Sequence, residues 1–254
     1  MPGAAPGGAV APTGRFSVGD AFNYGWKKFQ QNIGPWLLGC LIALAAMAIL
    51  YFIMIAVMVP IVASNATVVE TRNGVEVIST GGGGAGALIV SIIFGVLIAL
   101  LGWIISAQFI RAALGVTDQG KIDLGIFFKK EFLGPVIVAS IILAIIQLVL
   151  GLIGIIPIIG WLIQFIGSIV VAFFAQFYAY FVLDQQQAPV DSIKSSFSFV
   201  NKHLANIIVL FLASLLALFI GAILCGIGLF VAIPVTVMAH AYTYRFLNNE
   251  PIAA

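Results

Sequence analysis

From Trp36 to Ala63 the chain carries no Asp, Glu, Lys or Arg. That stretch constrains the fold more than any other feature. About 20 apolar helical residues are needed to cross a hydrocarbon core about 30 Å thick. Comparable runs follow over residues 87–112, 133–157, 159–183, 205–225 and 228–247, with Arg111 and Arg245 placed only near their ends. Hydrocarbon offers no hydrogen-bond partners, so a spanning backbone satisfies its own polar groups, and isolated apolar runs of this length do so as helices. Charged residues make up 8% of the chain, against about 25% in soluble domains. Too few remain to solvate a globular surface. The expected fold class is an all-α membrane protein of six transmembrane helices.

The charges also set an expected orientation. Arg15, Lys27 and Lys28 precede the first run, and Arg111, Lys121, Lys129 and Lys130 lie between the second and third. Lys194 and Lys202 lie between the fourth and fifth, Arg245 ends the sixth, and only Arg72 falls on the other side. Basic residues collect on the cytoplasmic side, so both termini are expected in the cytoplasm of a bacterial inner-membrane protein. The net charge of +2 gives no footprint for nucleic acid. Cys40 and Cys225 lie in separate runs near opposite faces, too far apart for a disulfide.

Residues 1–14 are almost entirely Ala, Gly and Pro. They are expected to be a disordered cytoplasmic tail, followed by one membrane domain over 15–248 and a short tail over 249–254. The sizeable outer loop spans 64–86. Within it, Val68–Ile78 alternates on both sides of Asn73-Gly74, the pair that suits a type I′ hairpin turn, and Gly81–Gly84 then follow as a flexible link.

A periodic segment precedes three of the spans. Val18, Phe22, Trp26, Phe29 and Ile33 form one helical stripe, and Ile193, Phe197, Val200 and Leu204 repeat its last four positions 171 residues later. At the same offset Asp20 matches Asp191 and Asn32 matches His203. A shorter copy runs from Lys121 to Leu133. Ser17 with Asp20 resembles a capping box. Gly34-Pro35 and Gly134-Pro135 are expected to break the chain before their spans. The return spans align too. Ala107-Gln108-Phe109, Ala175-Gln176-Phe177 and Ala239-His240-Ala241 correspond, and each precedes a polar turn: Thr117-Asp118-Gln119, Asp184-Gln185-Gln186 or Asn248-Asn249-Glu250. Three pseudo-repeats follow, over about 16–118, 119–186 and 187–248, each an interfacial amphipathic helix with a helical hairpin. An even number of spans per unit orients all three alike, which implies a parallel pseudo-threefold bundle.

The amphipathic segments are expected at the cytoplasmic face, anchored to membrane lipids by Phe22, Trp26, Lys27, Lys28, Phe29, Lys129, Lys130, Phe197 and Lys202. Packing of their stripes against neighbouring spans, as a collar, is the other expected use. Gln108, Gln176 and His240 share one repeat position and would line a polar axis if the threefold packing holds. The bland alternative is one hydrogen bond each to a neighbouring helix. Gln147 and Gln164 lie deeper and would bond across their hairpin.

The opening Phe16-Ser17-Val18-Gly19-Asp20-Ala21-Phe22-Asn23-Tyr24-Gly25-Trp26-Lys27-Lys28-Phe29 resembles the start of a broad family of uncharacterised bacterial membrane proteins. These are similar to the membrane domain of some glycerophosphodiester phosphodiesterases and to YciC-like proteins. Pro189-Val190-Asp191-Ser192-Ile193-Lys194-Ser195-Ser196-Phe197 resembles the family's second element, and the Gly/Pro-rich leader its actinobacterial branch. The resemblance covers about residues 15–248 and implies architecture, not activity.

The sequence lacks the zinc, phosphate-loop and nucleophile-elbow motifs. No catalytic residue, cofactor or metal is expected. The favoured reading is a non-enzymatic scaffold, accessory subunit or lipid-organising component. Its partners would be membrane lipids and other membrane proteins of an envelope or respiratory-type complex. The alternative is a transporter, channel or lipid-handling protein with a cavity on the pseudo-threefold axis.

Overall fold

The computed structural model describes residues 9–12, 14–64, 66–70, 76–80, 84–122, 124–224 and 226–254. In chain order they form β1 (Ala9–Val10), α1 (Val18–Gln31), α2 (Ile33–Ser64), β2 (Ala66–Glu70), β3 (Glu76–Thr80) and α3 (Gly84–Gln119). A short 3₁₀ turn (Leu124–Phe128) leads to α4 (Leu133–Ile153), α5 (Ile159–Ala175), α6 (Tyr178–Gln185), α7 (Pro189–Lys202), α8 (Leu204–Ile223), α9 (Leu229–Leu247) and β4 (Ile252–Ala253). Residues 1–40 with 106–254 form one compact unit and residues 41–105 a second.

Helix dominates, and five helices are long and apolar enough to cross a membrane: Ile33–Ser64, Gly84–Gln119, Leu133–Ile153, Ile159–Gln185 taken through its break, and Leu204–Ile223. Their apolar side chains are largely exposed, among them Phe52, Ile92, Leu148, Trp161 and Phe219. Aqueous solvent does not tolerate apolar surface on that scale, whereas lipid does. α9, expected as a sixth span over 228–247, is not in that group. From Thr236 on it carries Thr236, His240, Thr243, Tyr244 and Arg245, and Thr236, Thr243 and Tyr244 are buried.

In the smaller unit, β2 and β3 pair antiparallel in the register Ala66↔Thr80 to Glu70↔Glu76, with Val68 opposite Ile78. Residues 71–75, with the expected Asn73-Gly74 turn, lie outside the described residues, as do 81–83. Gly84 opens α3.

In the larger unit, the chain turns from each short helical segment into the apolar helix that follows it in a similar way. The break falls one turn earlier than the Gly-Pro pairs suggested, and Pro35 and Pro135 lie in the first turns of α2 and α4. Nothing is lost there, because the first N–H groups of a helix have no intrahelical acceptor. The amides of Trp36, Val136 and Ile207 donate to the carbonyls of Asn32, Phe132 and His203 at 3.2, 3.3 and 3.1 Å. Asn32 (φ −127°, ψ 31°) and His203 (φ −118°, ψ 29°) share one backbone conformation. Ser17 occupies the N-cap of α1 in extended conformation, but its side chain makes no capping bond, unlike the expected box. Instead Ala21 N–H donates to its carbonyl at 3.2 Å.

Burial follows the same offsets. Ala21, Gly25, Lys28 and Phe29 are the buried positions of α1, and Ser192, Ser196, Phe199 and Val200, each 171 residues on, are those of α7. Trp36, Gly39 and Cys40 are buried on α2, and Val136, Ala139 and Ser140, each 100 residues on, are buried on α4. α1 packs along α9, α7 packs on α4, α5 and α6, and the 3₁₀ turn packs on α3 through Phe127 against Phe109.

The packed face of α1 carries Ala21, Gly25, Lys28 and Phe29, and of the expected stripe it takes in only Phe29. A Cβ on Gly25 would lie 2.6 Å from the Val235 carbonyl oxygen of α9, so the two backbones touch there. At the position 171 residues on, Ser196 inserts its hydroxyl at the junction of α5 and α6. Its Oγ accepts from Phe177 N–H at 3.1 Å and donates to the Phe174 carbonyl at 2.7 Å. That intrusion accounts for the break between α5 and α6, which falls inside the expected span over 159–183. Gly25→Val should therefore push α1 off α9. A loss of about 2 kcal/mol, within the usual cost of overpacking, is the expected result of detergent-unfolding measurements.

Polar residues deeper in the helices are matched locally. Ser168 Oγ donates to Gln147 Oε1 across the α4–α5 hairpin at 2.8 Å. The expected Gln147–Gln164 pairing does not form, and Gln164 lies instead over Gly154, whose missing Cβ leaves the room. Pro234 within α9 cannot donate to the Phe230 carbonyl, and Cys40 Sγ lies 4.0 Å from that oxygen. β1 pairs with β4, Ala9↔Ala253 and Val10↔Ile252. Two residues of each expected tail thus pair in an antiparallel ribbon.

Candidate functional site

The polar turns that end the return helices supply the principal charged cluster. Asp118 lies in the last turn of α3, Asp184 in the last turn of α6 and Glu250 just beyond α9. Arg245, in the last turn of α9, reaches all three. Its Nη2 lies 2.9 Å from Asp118 Oδ1 and 2.6 Å from Asp184 Oδ1, and its Nη1 lies 2.5 Å from Glu250 Oε2. Tyr244 OH donates to the second oxygen of Asp184 at 3.1 Å.

The guanidinium suits this task because its planar fork presents five donors in fixed directions. The Arg245 side chain is 11% exposed, Asp184 15%, Glu250 24% and Asp118 50%. Two of the three pairs are thus well shielded from water, where charge attraction is strongest. Burial raises the Glu250 pKa above its ordinary value, with Arg245 pulling in the opposite direction. A positive side chain already fills the middle of the acidic set. The arrangement is a clasp on three helix ends.

One turn or more further along the return helices lie the residues expected on a polar axis. His240 Nε2 lies 3.1 Å from Gln176 Oε1, and His240 Nδ1 lies 2.9 Å from the Thr236 carbonyl. Gln176 Nε2 donates to the Phe173 carbonyl at 2.7 Å. Gln108 does not join them: its Nε2 donates to the Lys129 carbonyl at 2.8 Å, tying the 3₁₀ segment to α3. The structure therefore brings two of the three together and gives the third a separate structural bond. A Gln176→Leu, His240→Leu double-mutant cycle should return a coupling of about 0.6 kcal/mol, the average for such bonds in membrane helices.

The expected anchoring residues divide. Trp26 is 47% exposed and Phe197 37%, Phe22 is half-buried, and Lys27, Lys129, Lys130 and Lys202 are exposed. Lys28 and Phe29, expected among the anchors, are 4% and 5% exposed. They face inward because α1 packs by the face that contains Ala21 and Gly25, which carries positions 28 and 29 under the helix. Phe197 also stacks on Phe174 with centroids 5.2 Å apart, so its ring serves the collar as well as the surface.

Sequence reasoning missed the clasp as a unit, although it marked all three polar turns. The available signal was a lone Arg245 beside three acidic helix ends. It also missed Asn32, whose Oδ1 accepts from Ile122 N–H at 3.0 Å and whose Nδ2 donates to the Lys28 and Gly120 carbonyls at 2.9 and 3.3 Å.

The chain is similar to an uncharacterized protein of Mycobacterium tuberculosis (Rv2560) and to one of Mycobacterium bovis (Mb2590). Each is 27% identical over 246 residues, covering 93% of this chain and 70% of the relative. No protein-family profile matches the chain. No solved structure matches it either.

Proposed function

We propose that this chain is a non-enzymatic, six-span protein of the bacterial inner membrane with both termini cytoplasmic. It would serve as a scaffold, accessory subunit or lipid-organising component of a membrane or envelope complex. α9 completes the sixth span, and three like-oriented units close on one another. The packing order supports that reading. The 3₁₀ segment of the second unit lies on α3 of the first, α7 of the third lies on α5 and α6 of the second, and α1 of the first lies on α9 of the third. The single observation that carries the functional part is the Arg245 clasp. The most concentrated set of ionisable groups is spent joining helix ends to one another, and Gln176 and His240 are spent on each other.

Two experiments test this. Single cysteines at Lys129 and Glu76, in a chain with Cys40→Ala and Cys225→Ala, should label from opposite sides of sealed vesicles. Labelling from one side would overturn the architecture. Gentle-detergent isolation at native expression should recover a larger assembly, and recovery of the lone chain would overturn the scaffold role.

A further inference from the structure

The α4–α5 and α8–α9 links turn without a polar loop. From Leu148 to Ile163 and from Leu215 to Val235, only the Trp161 indole carries a side-chain nitrogen or oxygen. The first turn reads Ile155-Ile156-Pro157-Ile158-Ile159-Gly160-Trp161, and its isoleucines are all exposed, Ile158 at 84%. In the second, Ile223, Leu224 and Ile227 are exposed, Ile227 at 73%. By contrast, the stretch between α2 and α3 carries Glu70, Arg72 and Glu76. Ile158 also holds φ at 65°, a costly conformation for a β-branched residue. Gly or Asn would serve such a turn better in water, and what isoleucine adds is affinity for hydrocarbon.

The backbone of both turns closes on itself. The amides of Gly154, Ile155 and Ile156 donate to the carbonyls of Leu150, Leu152 and Ile153 at 3.0, 3.3 and 3.1 Å. Pro157 has no N–H, and Ile159 and Gly160 donate to Pro157 and Ile156 at 2.8 and 3.1 Å. In the second turn Gly226, Ile227, Leu229 and Phe230 donate to Ala222, Leu224, Gly226 and Ile227 at 3.1, 3.1, 3.0 and 3.1 Å. Water would satisfy such groups on an open loop, whereas hydrocarbon cannot, so this closure is demanded only in lipid. Glycine makes it possible: a Cβ on Gly228 would lie 2.7 Å from Gly221 Cα.

Helix length agrees. α4 has 21 residues and α8 has 20, each a rise of about 30 Å, the thickness of the hydrocarbon core. Exposed lysines precede both, Lys129 and Lys130 before α4 and Lys202 before α8. A leg that leaves one headgroup layer at those lysines ends at the far edge of the hydrocarbon. The apolar surface of each tip continues that of the helix sides, where Leu148, Leu152 and Phe165 are exposed near one tip and Leu216 and Phe219 near the other. A protein partner calls for a polar rim, and neither tip has one. Trp161, 62% exposed, is the residue type that gathers at the membrane–water boundary.

We propose that the α4–α5 and α8–α9 turns end inside the outer leaflet, where acyl chains cover them and the headgroup layer passes above. The proposal rests on the membrane reading above and gives its lipid-organising version a surface: two apolar tips that hold outer-leaflet chains.

The test uses the full chain in sealed vesicles of phosphatidylglycerol and phosphatidylcholine. Ile158→Cys and Ile227→Cys, each with Cys40→Ala and Cys225→Ala, are treated with a charged maleimide from the side that labels Glu76→Cys. Both should react about tenfold more slowly than Glu76→Cys, because a charged reagent stays out of hydrocarbon. Trp161 emission, read as the difference between wild type and Trp161→Phe, should be quenched more by lipids brominated high on the acyl chain than by lipids brominated near its end. That measurement keeps both turns native, so it answers the question even where a cysteine variant fails to fold. Reaction at the Glu76→Cys rate would put the tips in water and overturn the proposal. Slow reaction without quenching by either lipid would mean that protein covers the tips, and stronger quenching from the chain ends would put them at mid-bilayer; each overturns it as well. Lys129→Cys and Glu76→Cys labelling from opposite sides in the same vesicles would leave the membrane reading standing in all three cases, whereas labelling of both from one side would refute that reading itself.

Discussion

Arg245→Met is expected to lower the unfolding free energy by about 3 kcal/mol, at the low end of the 3–5 kcal/mol typical of breaking a buried ion pair. The loss comes less from the missing attraction than from what remains. Asp118, Asp184 and Glu250 would be left facing one another without a counter-charge, two of them shielded from water. Asp118 is half-exposed, so its share is screened and small. Arg245→Lys should recover only part of the loss, because a single ammonium cannot present two parallel edges to three carboxylates. Combining Arg245→Met with Asp184→Asn should restore part of it as well, since one stranded charge is gone. Unfolding in mixed micelles with rising denaturing detergent reads all three. Equal stability of wild type and Arg245→Met would show that the clasp does not hold the helix ends together.

Trp36→Ala should cost about 4 kcal/mol, in the range for deleting a buried aromatic side chain. Trp36 is fully buried in the first turns of α2, with Phe109 of α3 at 5.7 Å and Phe127 of the 3₁₀ turn at 6.2 Å between ring centroids. Phe109 and Phe127 in turn meet edge-on at 5.9 Å. The three rings are therefore one wedge, and it seats the segment that links the first hairpin to the second. Removing its centre should free that segment, so trypsin should cut at Lys129 and Lys130 faster than in wild type. Trp36→Phe keeps a ring in the wedge and should lose less than half as much. If proteolysis at these lysines stays unchanged in Trp36→Ala, the wedge is not what seats the turn.

Much of this molecule was legible in one dimension. A run such as 36–63 leaves the backbone no other way to satisfy its polar groups in hydrocarbon, so helix type and approximate length followed from composition alone. The 171-residue offset between the α1 and α7 stripes was visible in the sequence, and the buried positions of the two helices keep the same offset although they lie mostly off the stripes. The polar turns at 117–119, 184–186 and 248–250 marked where the return helices stop.

Other features depended on partners far away in the chain. Arg245 lies 127 residues from Asp118 and 61 from Asp184, and local spacing carries no trace of such a pairing. Periodicity displayed the aromatic stripe of α1, yet the face that packs is the one with Gly25, because backbone contact with Val235 needs a missing side chain more than it needs a large ring. The same rotation carried Lys28 inward from its expected place at the surface. Ser196 splits α5 from α6 by bonding to backbone groups of another helix, an event that no apolar run of 159–183 could announce. Hydrophobic patterning determined which segments are helices and which of them are apolar enough to cross a membrane. Close packing, which compares shapes across the fold, decided which faces meet and which charges are shut inside.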